Sequence, residues 1–117
     1  MRLQHVSLCF PPGANDEVRA FYGGVLGLEE IPVLPKLDPE QFVWFSGGAG
    51  DLEVHLMPGE VTGGRQHACL VVDDLEGLRA RLADGGYELS EATEIVGRPR
   101  FFCRDPFGNL LELCRID

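Results

Sequence analysis

Basic residues are scarce in this sequence: 10 lysines and arginines stand against 19 aspartates and glutamates, a formal net charge of −9. Phosphate affinity needs a basic face that releases counterions, so the balance argues against a nucleic-acid partner. No apolar run approaches the ~18 residues of a membrane span. Met1-Arg2-Leu3-Gln4-His5 has no apolar signal region, so a cytoplasmic protein with no membrane partner is expected. The cysteines, Cys9, Cys69, Cys103 and Cys114, form no C-x-x-C pair, which removes zinc ribbons and dithiol redox motifs. They are expected to be reduced thiols in the interior or in a cavity wall. What is left, 44% hydrophobic and 25% charged residues over 117 positions, suits one globular domain, 1–117.

The pattern along the chain is a duplication. Arg2 to Phe10 alternates, with Val6, Leu8 and Phe10 on one side and His5, Ser7 and Cys9 on the other, which predicts a strand. Pro11-Pro12-Gly13 ends it. Asn15 is placed to cap a helix whose apolar stripe is Val18, Phe21, Tyr22, Val25 and Leu26, closed by Gly27. Strands are predicted over 28–33, 42–45 and 52–57. The same order then returns. A strand begins at His67, and a capping-box-like Asp73 with Glu76 precedes Leu75, Leu78 and Leu82 at helical spacing. Gly85-Gly86 stops that helix, and strands follow over 87–90, 100–104 and 110–115. Fold class is therefore α+β: two βαβββ modules, 1–59 and 65–117, joined by a connector at 60–64 and forming a cupped mixed sheet.

Period-two geometry sorts the polar residues. His5 lies opposite Val6, Leu8 and Phe10, and His67 opposite Ala68, Leu70 and Val72. On the last strand of each module, Glu53 and His55 face away from Val54 and Leu56, and Glu112 away from Leu111 and Leu113. Two imidazoles and two carboxylates thus emerge at repeat-equivalent positions on the faces away from the helices. A borderline divalent metal takes this donor set, leaving coordination positions for substrate. Cys69 and Cys114 lie one strand step along the same faces, roughly 6.6–7 Å on, too far to replace His67 or Glu112 at one ion.

Four segments carry a family resemblance. Met1 to Val6, Ala20-Phe21-Tyr22-Gly23-Gly24-Val25-Leu26-Gly27-Leu28, His67 to Leu75, and the Phe102-Cys103-Arg104-Asp105-Pro106-Phe107-Gly108-Asn109-Leu110-Leu111-Glu112-Leu113 ending resemble the vicinal-oxygen-chelate superfamily of glyoxalases, bleomycin-resistance proteins and ring-cleaving dioxygenases. The resemblance implies a divalent metal (Ni, Co, Zn, Mn or Fe) held by His5, His67 and Glu112, with Glu53 as fourth ligand and His55 as the alternative to it. It implies a metal-dependent lyase or isomerase of the glyoxalase type that chelates a small oxygenated substrate through two oxygens. Glu53 and Glu112 are the catalytic candidates, a glutamate moving a proton between adjacent carbons. The metal-free bleomycin-resistance type of drug binder and a small ring-cleaving dioxygenase are the alternatives, and the resemblance also implies a homodimer.

The sequence departs from glyoxalase I where that enzyme carries an arginine after the first histidine; here the strand reads Ser7-Leu8-Cys9, which argues against a glutathione adduct. Arg65, Arg98, Arg100 and Arg104 are the basic residues near the predicted site in sequence, with Arg100 the candidate for an anionic substrate group. Trp44, among the aromatics Phe42, Phe45, Phe101 and Phe102, is the candidate for an apolar or cationic contact.

Overall fold

Alternation makes β1 of His5–Phe10, with Arg2 to Gln4 left ahead of the strand. The computed structural model describes residues 1–117, which divide into two units, Met1–Val61 and Thr62–Asp117. In the first, β1 is followed by α1 (Asn15–Val18), a π-helical stretch (Arg19–Val25), β2 (Glu30–Ile31), β3 (Val43–Ser46) and β4 (Glu53–Pro58). The sheet order is β1-β4-β3-β2, with β1 and β4 parallel and the other pairs antiparallel. The second unit has β5 (His67–Val71), α2 (Leu75–Asp84), β6 (Leu89–Glu91), β7 (Arg100–Arg104) and β8 (Leu110–Cys114). Its order is β5-β8-β7-β6, again with the first and last strands parallel. The fold is the expected α+β repeat of βαβββ, with each repeat carrying its own four-stranded mixed sheet.

Each sheet has one apolar face. In the first unit Val54 pairs with Val6 and Phe45, and Leu56 with Leu8 and Val43. Phe10, Phe45 and Leu56 are fully buried, and Tyr22 from the helical stretch sits 5.9 Å from the Phe45 ring centroid. In the second unit Leu111 and Leu113 pair with Cys103 and Phe101, all four buried, and the Arg79 guanidinium of α2 lies 5.0 Å over the Phe101 ring. Burying side chains of this size stabilises each unit by about 1.5–3 kcal/mol apiece.

Four local expectations are corrected. The first helix is not one α-helix over its apolar stripe. After Val18 it widens to π geometry, where Leu26 N–H reaches Phe21 O at 2.9 Å, five residues back. Val18, Phe21 and Tyr22 stay buried, so the stripe is served by the wider turn. Gly27 closes it at φ 78°, with Leu28 N–H bonded to Tyr22 O at 2.9 Å. Second, Asn15 is not the cap: it is the first helical residue, and its Nδ2 donates to Glu40 O at 2.8 Å. Third, the α2 cap is Asp74, not Asp73, since only the residue just ahead of Leu75 can accept from Gly77 N–H, here at 3.0 Å. The strand over 28–33 shrinks to Glu30–Ile31, ahead of Pro32 and Pro35, which have no N–H for a ladder.

Candidate functional site

The polar face of the first sheet holds His5, Glu53, His55 and Trp44. The register sets His5 beside Glu53 across the parallel pair, and Trp44 beside His55 across the antiparallel one. Three rings stack as a result: His55 lies 3.7 Å from the Trp44 ring at 4°, and 4.1 Å from the His5 ring at 18°. His55 and Trp44 are each only 8% exposed. Trp44, expected to face substrate, therefore spends one ring face as the floor under His55.

Glu53 is held from two sides. His55 Nε2 donates to Glu53 Oε1 at 3.0 Å, and Gln4 Nε2 donates to the same oxygen at 3.1 Å. These two bonds, the His55 one foremost, hold the Glu53 carboxyl below its ordinary range. Because a carboxylate only accepts, His55 must carry its hydrogen on Nε2, which makes it a support for Glu53 at that atom.

The polar face of the second sheet gathers His67, Glu112, Arg100 and the Cys69–Cys114 pair. His67 Nδ1 lies 2.9 Å from Arg65 O, and Nε2 lies 3.0 Å from Glu112 Oε2. A backbone carbonyl accepts only, so Nδ1 carries a hydrogen and, in a neutral ring, Nε2 presents a lone pair to a carboxylate. Two acceptors face each other there, and a positive charge between them, proton or metal ion, is what reconciles them. The 3.0 Å separation is that of an ordinary hydrogen bond, and imidazole nitrogen with carboxylate oxygen is also the donor pair that would hold a divalent ion. The other carboxylate oxygen, Oε1, accepts from Arg100 Nη1 at 3.0 Å. Burial opposes ionisation of Glu112, but the bonds and charges of Arg100 and His67 outweigh it and keep the carboxyl below its ordinary range.

Arg100 also donates through Nη2 to Thr93 O at 3.0 Å and lies 5.7 Å over the Phe102 ring, while its Nε is buried with no partner. Arg104 is spent on the backbone, Nη1 reaching the carbonyls of Gly63, Gly64 and Gly108 at 3.3, 3.2 and 3.0 Å. Arg65 and Arg98 are exposed. Cys69 is exposed rather than interior, and Cys103 and Cys114 are buried. Cys69 Sγ is 3.5 Å from Cys114 Sγ, and desolvation, that neighbour and Glu112 push its thiol up to about 12.

Within neither unit do three or more histidine, cysteine, aspartate or glutamate side chains gather around one point. The fit to a metal rests instead on the donors: neutral imidazole with carboxylate in each unit, and both first-strand histidines tied at Nδ1. The buried Asp105 of the Asp-Pro-Phe-Gly-Asn turn is structural. Its Oδ1 accepts from Phe107 N–H and Asn109 N–H, both at 2.9 Å, which sets the register of β8 and so the place of Glu112. Gln4, which touches both Glu53 and His5, was not among the sequence candidates; its adjacency to His5 was the available signal.

A family model described as the Glyoxalase/Bleomycin resistance protein/Dioxygenase superfamily matches residues 2–113. No curated protein matches the sequence. Among solved structures, a protein assigned to the glyoxalase family from Bacillus anthracis is 29% identical with a TM-score of 0.84, covering 100% of this chain and 96% of that one. A lactoylglutathione lyase from Agrobacterium tumefaciens is 23% identical with a TM-score of 0.71, covering 97% of this chain and 92% of that one. A fosfomycin resistance protein from Listeria monocytogenes, complexed with Mn(II) and sulfate, is 19% identical with a TM-score of 0.75, covering 99% and 90%. The latter two share the fold.

Proposed function

Because the chain belongs to the glyoxalase/bleomycin resistance protein/dioxygenase superfamily, we propose that it is a divalent-metal-dependent enzyme of the glyoxalase kind, a lyase or isomerase acting on a small oxygenated substrate. The ligand pairs are His5 with Glu53 and His67 with Glu112, one pair per unit. A divalent ion held by these residues would supply Lewis acidity toward a substrate carbonyl. Glu53 is the residue to take up and return a proton, since its Oε1 is held by Gln4 and His55 while the other oxygen has no such donor. Glu112 is more firmly clamped, with Arg100 on one oxygen and His67 at the other, which suits a ligand better than a base. Arg100 also offers a guanidinium to an anionic substrate group, and Trp44 supports the ring stack at the site's edge. The expected homodimer goes with this function and is checked by mass in solution.

The observation that carries the proposal is His67: with Nδ1 spent on Arg65 O, its Nε2 lone pair converges with Glu112 Oε2 at 3.0 Å. The test is metal content of untagged protein after reconstitution with nickel, cobalt, zinc, manganese and iron(II). Stoichiometric metal in the wild type that is lost in His67→Ala supports it. No retained divalent ion from any of the five overturns it.

A further inference from the structure

Gln4 stands immediately ahead of β1, half-buried, and its main chain already belongs to the sheet: its carbonyl accepts from Glu53 N–H at 2.9 Å. The side chain makes three more contacts. Nε2 donates to Asp51 O at 2.9 Å and to Glu53 Oε1 at 3.1 Å, and Oε1 lies 2.7 Å from His5 Nδ1. Both partners of Nε2 are acceptors only, so turning the amide over would set its oxygen against a carbonyl and a carboxylate. The orientation of the amide is fixed by that pair, and its oxygen must face the imidazole. A carbonyl oxygen cannot donate, so the hydrogen between them belongs to His5 Nδ1. A neutral His5 ring then carries its lone pair on Nε2.

We infer that Gln4 is a positioning residue: one side-chain amide selects Nε2 as the ligating atom of His5 and at the same time aims the Glu53 carboxylate. The inference rests on His5 and Glu53 being ligands, as proposed above. Metal-bound histidines are oriented in this way by the bond at the second ring nitrogen. The second unit reaches the same tautomer by other means, with His67 Nδ1 bonded to the main-chain carbonyl of Arg65 at 2.9 Å. That acceptor survives any side-chain substitution. The first histidine is therefore oriented by a replaceable group and the second by a permanent one, which makes His67 an internal control for His5.

The experiment reads the ring nitrogens of the metal-free protein directly, by long-range proton–nitrogen correlation at about pH 8, above the ordinary imidazole range. In the wild type, His5 should show a protonated Nδ1 and an unprotonated Nε2. Gln4→Met removes donor and acceptor together. It should move His5 toward the Nε2-protonated form and leave the His67 signals in place. Ni(II) affinity, by calorimetric titration, should fall about 10–100-fold in Gln4→Met. An Nε2-protonated His5 in the wild type, or a tautomer indifferent to Gln4→Met, overturns the inference, and the wild-type spectrum decides even if the variant fails to fold. If Ni(II) does not bind the wild type, the ligand assignment falls, while the nitrogen shifts still judge Gln4.

Discussion

Replacing Glu112 by leucine should destabilise the protein far more than replacing Arg100 by methionine, although both substitutions break the Arg100–Glu112 ion pair. The two side chains are 14% and 16% exposed and meet at 3.0 Å. Removing the carboxylate leaves a guanidinium nearly out of water without its anion, which costs about 3–5 kcal/mol. Removing the guanidinium forfeits a charge-assisted hydrogen bond worth about 1.5–3 kcal/mol. It also removes Nε, a buried donor with no partner, whose desolvation costs about 1–3 kcal/mol. Glu112 and His67 Nε2 can still share one proton between their facing acceptor atoms, whereas a guanidinium left without its anion cannot lose its charge. Arg100→Met should therefore lose on the order of 1 kcal/mol, leaving a gap between the variants of about 2–4 kcal/mol. With a urea dependence of roughly 1–3 kcal/mol per molar, the midpoints should differ by about 1–2 M in chelator at pH 7. Acidity supplies a second check. The folded Glu112 carboxyl sits below its ordinary value of 4.5, so its stabilising contribution is complete above that value and is lost as pH falls through the lower folded one. Wild type and Arg100→Met should then converge in acid. An Arg100→Met loss as large as that of Glu112→Leu, or one unchanged by acid, refutes the reasoning.

Three further outcomes are expected. Asp74→Ala should cost about 1 kcal/mol in thermal or urea unfolding by removing the acceptor at Gly77 N–H, while Asp73→Ala should change stability by less than about 0.5 kcal/mol; the reverse order would return the cap to Asp73. Gly27→Ala should cost about 1–2 kcal/mol, since φ is 78° there, whereas Gly24→Ala, whose Cβ meets nothing nearer than Arg19 O at 4.0 Å, should be neutral or stabilising; equal losses would rule out backbone strain as the cause. Cys69 and Cys103, each pushed up to about 12, should react with an aromatic disulfide at pH 8 roughly a hundredfold or more slower in the native protein than in urea, mapped by peptide mass; fast native labelling of either would contradict the raised thiols.

Much of the fold is legible in the sequence because period and punctuation act locally. Alternation marks β1 and β5, Gly27 and the Gly85-Gly86 pair stop the helices, and the Asp105-to-Asn109 turn joins β7 to β8. The π-helical stretch was not legible. Val18, Phe21, Tyr22, Val25 and Leu26 fit an α-helical stripe just as well, and the extra residue per turn shows only in the hydrogen bonds. The candidate residues His5, Glu53, His67 and Glu112 can be placed on their faces by counting in twos. What holds them depends on cross-strand register. The ring stack requires Trp44 opposite His55 and His55 beside β1, and the sequence of β4 alone does not say which strands flank it. Gln4 escapes for the same reason, because its partners Asp51 and Glu53 come from the far end of the unit.

The parallel pairing of first strand with last has a consequence for how each unit is assembled. Gln4 and Glu53 are 49 residues apart in the chain, and His67 and Glu112 are 45 apart. The contacts that build the polar faces thus span nearly the whole of each repeat, the costliest loops to close and a feature of high contact order. A nascent or partly unfolded repeat owns the histidine but not its carboxylate. Any ion that prefers the finished pair over the open chain must draw its affinity from that last strand docking, so occupancy and closure become one equilibrium.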